Sequence, residues 1–196
     1  MNIEKLKTSN GLTVEGAIVC SPKIFNDERG FFYESWNKAN FEAAINMKID
    51  FVQDNHCRSC KGVLRGLHYQ LPPRVQGKLV RCSQGSIFDV AVDLRKSSPT
   101  YGQWGGVKLN DQNKKQIWVP NGFAHGFLTL SDYAEVQYKI TDFWSKDLER
   151  SIKWNDEKLQ INWPVNEIRD EEVMVSPKDK IAPNLMDVEL SGDIFE

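Results

Sequence analysis

Short stretches in which apolar and polar residues alternate dominate the middle of the chain. Alternation with a period of two places successive side chains on opposite faces and predicts half-buried β-strands. It is found in residues 87–94, 107–109, 116–119, 126–130 and 134–140. Gly, Pro, Asn, Asp and Ser residues between these stretches indicate turns. Regularly spaced strands separated by turns predict an all-β sandwich or barrel of antiparallel strands.

One helix is predicted, in residues 37–47, where Phe41, Ala44 and Ile45 share a face and Asn37 suits the N-cap. After Trp154 the alternation weakens. We expect the C-terminal segment, residues 155–196, to wrap on the barrel, so that residues 1–196 form a single domain. Its acidic run, residues 170–172, is predicted to be a solvated face.

Length, charge and the distribution of apolar residues limit the kinds of binding partner that the protein can have. The chain has 196 residues and a formal net charge of −2, and this length fits one domain. The balanced charge argues against nucleic acid as a partner. No apolar run reaches membrane-spanning length, and residues 1–10 have no apolar segment typical of a signal peptide. We therefore expect a cytoplasmic protein that has no membrane partner and whose four cysteines are reduced.

Residues 62–81 carry the strongest chemical signal. His68 lies between two cations, Arg65 and Lys78, in a segment that otherwise resembles a buried strand. The cations suit an anionic ligand, and a neutral imidazole beside them suits proton abstraction. Strict alternation would place Arg65 and His68 on opposite faces. We expect a β-bulge at Gly66 to turn both side chains inward.

Other polar residues in predicted strands leave two interpretations open. For Arg81, Asp93 and Lys139 we expect positions on the solvent face or rim of the sheet. His125 follows a loop of Pro and Gly, and either a buried histidine of the core or a ligand-binding residue fits the pattern. Tyr138 is more often a core tyrosine with a bonded hydroxyl.

Metal binding and base stacking are two further possibilities. Cys57 and Cys60 form a CxxC pair without a second pair at zinc spacing, so two ordinary thiols are expected. The chain has no His-x-His motif, and the spacing of its three histidines gives little support for a common metal. We therefore predict no metal. The pair formed by Phe143 and Trp144 fits either core packing or a platform for a base.

Several blocks of residues, in this order, resemble the dTDP-4-dehydrorhamnose 3,5-epimerases. They are FVQDNH (51–56), VLRGLHYQ (63–70), QGKLVR (76–81), DVAVDLR (89–95), PNGFAHGF (120–127) and YKITD (138–142). The resemblance runs from about Gly16 to Asp179, nearly the whole chain. It implies a cupin-type jelly roll without metal or cofactor. It also implies a homodimer in which an N-terminal strand joins the partner's sheet, and a dTDP-linked 4-keto-6-deoxyhexose as substrate.

The same resemblance implies a role for individual residues. His68 corresponds to the base, Asp179 to the carboxylate that orients it, Tyr138 to the acid, and Lys78 to the cation near the C4 oxygen. Trp144 stands where the family usually has a tyrosine that stacks on thymine. The positions that correspond to nucleotide or sugar contacts are Arg29, Glu34, Gln53, Asn55, Arg65, His125, Trp144, Glu149 and Lys178.

The expected reaction inverts C3 and C5 of dTDP-4-dehydro-6-deoxy-D-glucose to give dTDP-4-dehydro-L-rhamnose. The alternatives are a 3- or 5-epimerase acting on a related nucleotide sugar, a metal-dependent cupin, and a barrel that binds a sugar nucleotide without catalysis. The presence of His68, Tyr138 and Asp179 argues against the last class, because binding alone requires neither an acid nor a base.

Overall fold

Two antiparallel sheets and a separate hairpin make up most of the fold. The structure is a computed structural model that describes residues 1–168 and 172–196. Its strands are β1 (Asn2–Lys7), β2 (Thr13–Ser21), β3 (Ile24–Asp27), β4 (Gly30–Tyr33), β5 (Gln53–Cys60), β6 (Leu64–Gln70), β7 (Lys78–Gln84), β8 (Ser86–Asp93), β9 (Trp104–Asn110), β10 (Gln116–Val119), β11 (Phe123–Thr129), β12 (Tyr133–Ile140) and β13 (Glu149–Ser151).

The strands pair in an order that differs from their order along the chain. The six-stranded sheet has the order β1-β2-β10-β7-β12-β5, and the five-stranded sheet has the order β13-β6-β11-β8-β9. Strands β3 and β4 form the hairpin. The helices are α1 (Lys38–Ile45), α2 (Pro177–Lys180) and α3 (Leu185–Ser191). In the described residues, no helix has the length and apolar character that a membrane span requires.

The inner faces of the two sheets enclose the core of the barrel. Side chains from both sheets, among them Val80, Phe123 and Val136, form one apolar cluster there. A second cluster lies on the other face of the five-stranded sheet, where C-terminal residues such as Leu159 and Leu185 pack against it. The five-stranded sheet is therefore buried on both faces.

The predicted helix forms at the expected place. The Asn37 side chain accepts a hydrogen bond from the backbone N–H of Asn40, and Asn46 ends α1 in the left-handed conformation. Phe41 and Ile45 pack into a third apolar cluster against the outer face of the six-stranded sheet. The pattern of apolar positions and the capping residue thus identified this helix correctly.

One expectation is wrong. Asp93, expected on the solvent face or rim, is fully buried and accepts hydrogen bonds from Arg95, Ser98 and Thr100. The reason is that both faces of its sheet are covered. Strand β1 pairs with β2 of its own chain, and the expected pairing of an N-terminal strand with a partner's sheet stays a prediction. Arg81 and Lys139 do lie on the outer face, bonded to neighbouring side chains.

Part of one prediction lies outside the described residues. In the acidic run, Asp170 and Glu171 are not among the residues that the structure describes, and Glu172 is exposed.

The bulge predicted at Gly66 is confirmed. Strand β6 pairs with β11 so that His68 lies opposite His125 and Arg65 lies opposite Phe127, which leaves one extra residue on β6. Gly66 has a φ of +137°, a region that L side chains rarely adopt. A Cβ at Gly66 would lie 2.5 Å from the Cα of Gly126, so only glycine fits this approach between the strands.

We predict that Gly66→Ala lowers the free energy of unfolding by about 3 kcal/mol, because it combines a strained backbone with overlap between two strands. Gly30 is the matched control, since its φ is +125° and the space around its Cα is open. Gly30→Ala should cost only about 1 kcal/mol. Urea denaturation measures both variants, and equal losses would contradict the role of the close approach.

Candidate active site

Two adjoining cavities lie beside the bulge. The large cavity, of about 400 Å³, and the small cavity, of about 200 Å³, share three lining side chains, His68, Lys78 and Tyr138. The other polar side chains of the large cavity include Arg65, His125 and Asp179. Those of the small cavity include Gln53, Asn55, Trp144 and Glu149. Most of the site residues predicted from the sequence therefore line these two adjoining cavities.

His68 and Asp179 form a hydrogen-bonded pair, although 111 positions separate them along the chain. Nε2 of His68 lies 2.6 Å from Oδ1 of Asp179. Because an ionised carboxylate can only accept, Nε2 carries the proton and Nδ1 is left as the basic nitrogen. Ser176 caps α2 by accepting from the Asp179 N–H at 3.1 Å, which sets the position of this carboxylate.

The environment of Asp179 keeps its carboxyl ionised. Burial by itself raises the pKa of Asp179, but hydrogen bonds from His68, Ser176 and the backbone N–H of Gly66 outweigh it and hold the pKa below its ordinary value. The bulge therefore has a second consequence, since it supplies one of the donors to the carboxylate that orients His68.

Lys78 reaches the same space from the opposite sheet. Its side chain is only 7% exposed, and its Nζ donates to the backbone carbonyl of His68 at 3.2 Å. Burial lowers the pKa of Lys78 to about 8, since the charged form loses its hydration. An ammonium ion held there is well suited to stabilise negative charge that develops on a ligand oxygen.

Tyr138 lines both cavities from β12 of the six-stranded sheet, whereas His68 belongs to β6 of the five-stranded sheet. The phenol and the imidazole therefore approach the cavity from opposing sheets. Burial raises the pKa of Tyr138, so that the phenol stays protonated at neutral pH. A base and a protonated acid thus approach one space from different directions.

His125 and Arg65 are each held by a neighbouring side chain. Nε2 of His125 lies 2.9 and 3.0 Å from the two carboxylate oxygens of Asp89. Nε of Arg65 donates to Oγ of Ser59 at 3.0 Å. The sequence was compatible with His125 as either a buried core histidine or a ligand-binding residue. In the structure the His125 ring is buried and also lines the large cavity, so it fits both descriptions.

The small cavity is surrounded by amide, aromatic and charged side chains. Gln53 donates to Asn55 at 3.0 Å, and Lys178 forms an ion pair with Glu149 at 2.6 Å. Trp144 is 55% exposed, so it does not belong to the core. Its indole is available to stack on a flat ligand at the edge of this cavity.

Three of the predicted binding residues line neither cavity: Lys178, which pairs with Glu149 at the small cavity, and Arg29 and Glu34, which lie away from both. Arg29 is in the turn of the β3–β4 hairpin, where its side chain is 85% exposed and pairs with Asp27. Glu34 follows the hairpin and accepts from the side chains of Asn37 and Asn40. Neither residue lines the cavities that contain His68.

The histidines and the CxxC cysteines, which are the candidate metal ligands, are separated in space. His56 lies on the outer face of the six-stranded sheet, 3.0 Å from Glu135, so the three histidines do not converge. Cys57 and Cys60 both lie in β5 as free thiols, as predicted. Among residues 1–168 and 172–196, no group of three or more His, Cys, Asp or Glu side chains is arranged to hold a metal ion.

Two contributors to the site were not identified from the sequence, Asp89 and Ser176. One signal for Asp89 is visible, since it is an acidic residue among apolar residues in a predicted strand. Ser176 precedes Pro177 in a pattern typical of a helix start. That this helix begins beside His68 is visible only in the folded chain.

Comparisons with known proteins identify the family of the chain. The family model for dTDP-4-dehydrorhamnose 3,5-epimerase matches residues 11–187. The chain belongs to this family. The epimerase of Salmonella typhimurium is 54% identical over 172 residues, which are 88% of this chain and 92% of that protein. That of Shigella flexneri is 59% identical over 152 residues, 78% of this chain and 84% of that protein.

Solved structures of the 3,5-epimerase family share the fold. The Legionella pneumophila enzyme, in complex with dTDP-4-keto-L-rhamnose, is 45% identical with a TM-score of 0.89, and the alignment covers 100% of this chain and 98% of that one. The Mycobacterium tuberculosis epimerase is 38% identical with a TM-score of 0.92, and the alignment covers 100% of this chain and 94% of that one. The predicted cupin-type fold and the predicted epimerase class are confirmed.

We predict that Asp179→Asn lowers the free energy of unfolding by about 1–3 kcal/mol at neutral pH, because the charged acceptor of the His68 hydrogen bond is lost. The folded pKa of Asp179 lies below its unfolded value of about 3.8. Its stabilisation is therefore present above that pH and is lost as the pH falls through the folded pKa.

Denaturation with urea at several pH values tests this, and the difference between the variant and the wild type should shrink in acid. Asp132→Asn is the control, since the Asp132 side chain is 92% exposed and its loss should change little. A difference between the Asp179 variant and the wild type that persists unchanged in strong acid would contradict the prediction.

Proposed function

We propose that this chain inverts C3 and C5 of dTDP-4-dehydro-6-deoxy-D-glucose to give dTDP-4-dehydro-L-rhamnose. The observation that carries the proposal is the pairing of His68 with Asp179 across a cavity from the protonated phenol of Tyr138. Family membership supports the same reaction. A base and an acid on opposing sheets are what inversion at carbon requires, because the proton leaves one face and returns to the other.

The ketone at C4 makes the chemistry possible. It acidifies the hydrogens on C3 and C5, since each carbanion is stabilised as an enolate. In our proposal Nδ1 of His68 takes the proton while Asp179 stabilises the imidazolium that forms, as the acidic residue does in hydrolase triads. Lys78 stabilises the charge on the enolate oxygen, and Tyr138 returns a proton to the other face.

The hydrogen atoms leave and return as protons, so the proposed reaction needs no redox cofactor. It also needs no metal, because Lys78 supplies the positive charge at the enolate oxygen. A cytoplasmic location is part of the same proposal, and the free state of all four thiols supports it.

We assign the remaining residues to the dTDP part and the sugar. Arg65 suits the diphosphate, since a planar guanidinium matches phosphate oxygens in pairs. Trp144 suits stacking on the thymine, with Gln53 and Asn55 beside it. His125, Glu149 and Lys178 complete the proposed binding set.

We further propose a homodimer in which the β3–β4 hairpin reaches the site of the other copy. Arg29 and Glu34 correspond to ligand-binding positions of the family, yet they lie outside the cavities of their own chain. The hairpin also presents exposed phenylalanines, Phe31 and Phe32, the latter 72% exposed. Apolar side chains of this size on a surface are typical of an interface.

We predict that His68→Asn abolishes the exchange of hydrogen at C3 and C5 when the substrate is incubated in heavy water, because no base remains. Tyr138→Phe should keep exchange and slow inversion by about 10³-fold, since the returning acid is lost. Nuclear magnetic resonance of the sugar separates the two effects. Binding of dTDP, measured by calorimetry, should change little in either variant and serves as the control for folding.

Several outcomes of this experiment would change the proposal. Full turnover in Tyr138→Phe would remove Tyr138 as the acid. Exchange at C3 alone in the wild type would favour a 3-epimerase. ChmJ of Streptomyces bikiniensis, described as a 3'-monoepimerase, is a structural neighbour at 33% identity with a TM-score of 0.85. Activity that disappears in chelator and returns with a divalent metal would favour a metal-dependent cupin.

We predict that Arg29→Ala and His68→Asn complement each other when the two inactive proteins are unfolded and refolded together. Half of the dimers are then mixed, and one of their two sites has both residues intact, so about one quarter of the wild-type activity should return. Refolding each variant alone is the control. If the mixture stays inactive, the hairpin does not serve the partner's site.

A further inference from the structure

The loop that follows β12, residues 141–148, carries Trp144 to the edge of the small cavity. The indole is 55% exposed, and among the described residues Trp144 joins none of the three apolar clusters. Packing against the core therefore does not set the direction of the ring. The direction has to be set through the backbone of the loop.

A buried amide, that of Gln70, holds this backbone on both sides of Trp144. Gln70 is the last residue of β6 and is only 2% exposed. Its Nε2 donates to the carbonyl of Phe143 at 3.1 Å, and its Oε1 accepts from the N–H of Ser145 at 2.8 Å. The peptide group before Trp144 and the peptide group after it are thus both bonded to one side chain.

A second loop, residues 71–77, closes on the first through the same amide. Nε2 of Gln70 also donates to the carbonyl of Arg74. The guanidinium of Arg74 pairs with Asp142 at 3.0 Å, and Gln76 donates to the carbonyl of Asp142 at 3.0 Å. Because two carbonyls face Nε2 and one N–H faces Oε1, only one orientation of the Gln70 amide satisfies all three groups.

Gln70 also connects this loop to the strand of the proposed base. It lies two residues beyond His68 on β6. His68 lines both cavities, whereas Trp144 lines only the small cavity. One strand and one side chain therefore fix the position of the indole relative to the imidazole.

We propose that Gln70 is a positioning residue of the epimerase site, which holds the backbone around Trp144 so that the indole lies where the base of the nucleotide stacks. This inference rests on the function proposed above, in which Trp144 stacks on the thymine. Gln70 acts through the loop and not by contact with the base. An indole that is oriented before binding loses less conformational entropy when the nucleotide arrives, which increases affinity.

The test is a cycle of dTDP binding, measured by calorimetry, to the wild type, Gln70→Met, Trp144→Ala and the double variant. Methionine has nearly the length of glutamine and removes all three hydrogen bonds of the amide. We expect Trp144→Ala to weaken binding by about 10-fold or more and Gln70→Met by about 5-fold or more, since stacking of the base is lost or impaired.

The double variant decides whether Gln70 acts through Trp144. Once the indole is absent, Gln70→Met should change the affinity for dTDP by less than about twofold, because coupled residues are not additive. An equal loss with and without the indole would overturn the proposal, since Gln70 would then affect the nucleotide by another route. Unchanged dTDP binding in the single variant Gln70→Met would overturn it as well.

Asn113→Leu is the matched control. The Asn113 amide also holds a turn by three backbone hydrogen bonds, because it donates to the carbonyl of Lys108 and accepts from the N–H groups of Asn110 and Lys115. That turn joins β9 to β10, and Asn113 lines neither cavity. Its replacement should leave dTDP binding unchanged. A loss equal to that of Gln70→Met would assign the effect to general loosening and would contradict the proposal.

Hydrogen exchange in the wild type gives a second measurement that does not depend on the folding of a variant. The N–H of Ser145 donates to a buried acceptor, so it should exchange at least about 100-fold more slowly than in an unstructured peptide. Exchange at the unprotected rate would overturn the role of Gln70.

The two proposals can fail separately. A wild type that binds dTDP but leaves the sugar unchanged would overturn the proposed reaction alone, because the binding cycle uses no turnover. An active wild type whose dTDP affinity is unchanged by Gln70→Met would overturn this inference alone.

Discussion

The close approach of Gly66 and Gly126 is the constraint on which the site depends. It allows β6 to carry one more residue than β11 at this point, and the extra residue turns Arg65 and His68 to the same side. The backbone N–H of Gly66 also helps to hold the pKa of Asp179 below its ordinary value. One local departure from regular pairing thus sets the direction of a cation, the direction of a base, and the charge of the carboxylate that orients the base.

Charged groups in the cavities are held before any ligand is present. Burial makes an isolated charge costly, so each group needs a partner that also fixes its direction. Hydrogen bonds and ion pairs join His68 to Asp179, His125 to Asp89, Lys178 to Glu149 and Arg65 to Ser59. Such prior orientation is favourable for catalysis, because the groups need little rearrangement when charge develops on the substrate.

The β3–β4 hairpin differs from these cavity residues, because it lies away from the cavities of its own chain. Residues that suit the ligand, Arg29 and Glu34, are distant from the cavities of their own chain, and the phenylalanines between them are exposed. A second copy would bury those rings and complete the site in one step. The proposed function and the proposed dimer are therefore linked through the same segment.

Local patterns in the sequence predicted strands β8 to β12, the helix after Asn37, and the signal of a histidine between two cations. The bulge followed from a glycine between two residues that both had to face inward. The tertiary structure decided what depends on distant contacts. It buried Asp93 because the C-terminal segment covers the second face of its sheet, paired β1 with β2, and brought Asp179 to His68 and Asp89 to His125. Alternation assigns a residue to a face of a strand, but only the packing of other elements decides whether that face meets water, a cavity or a partner charge.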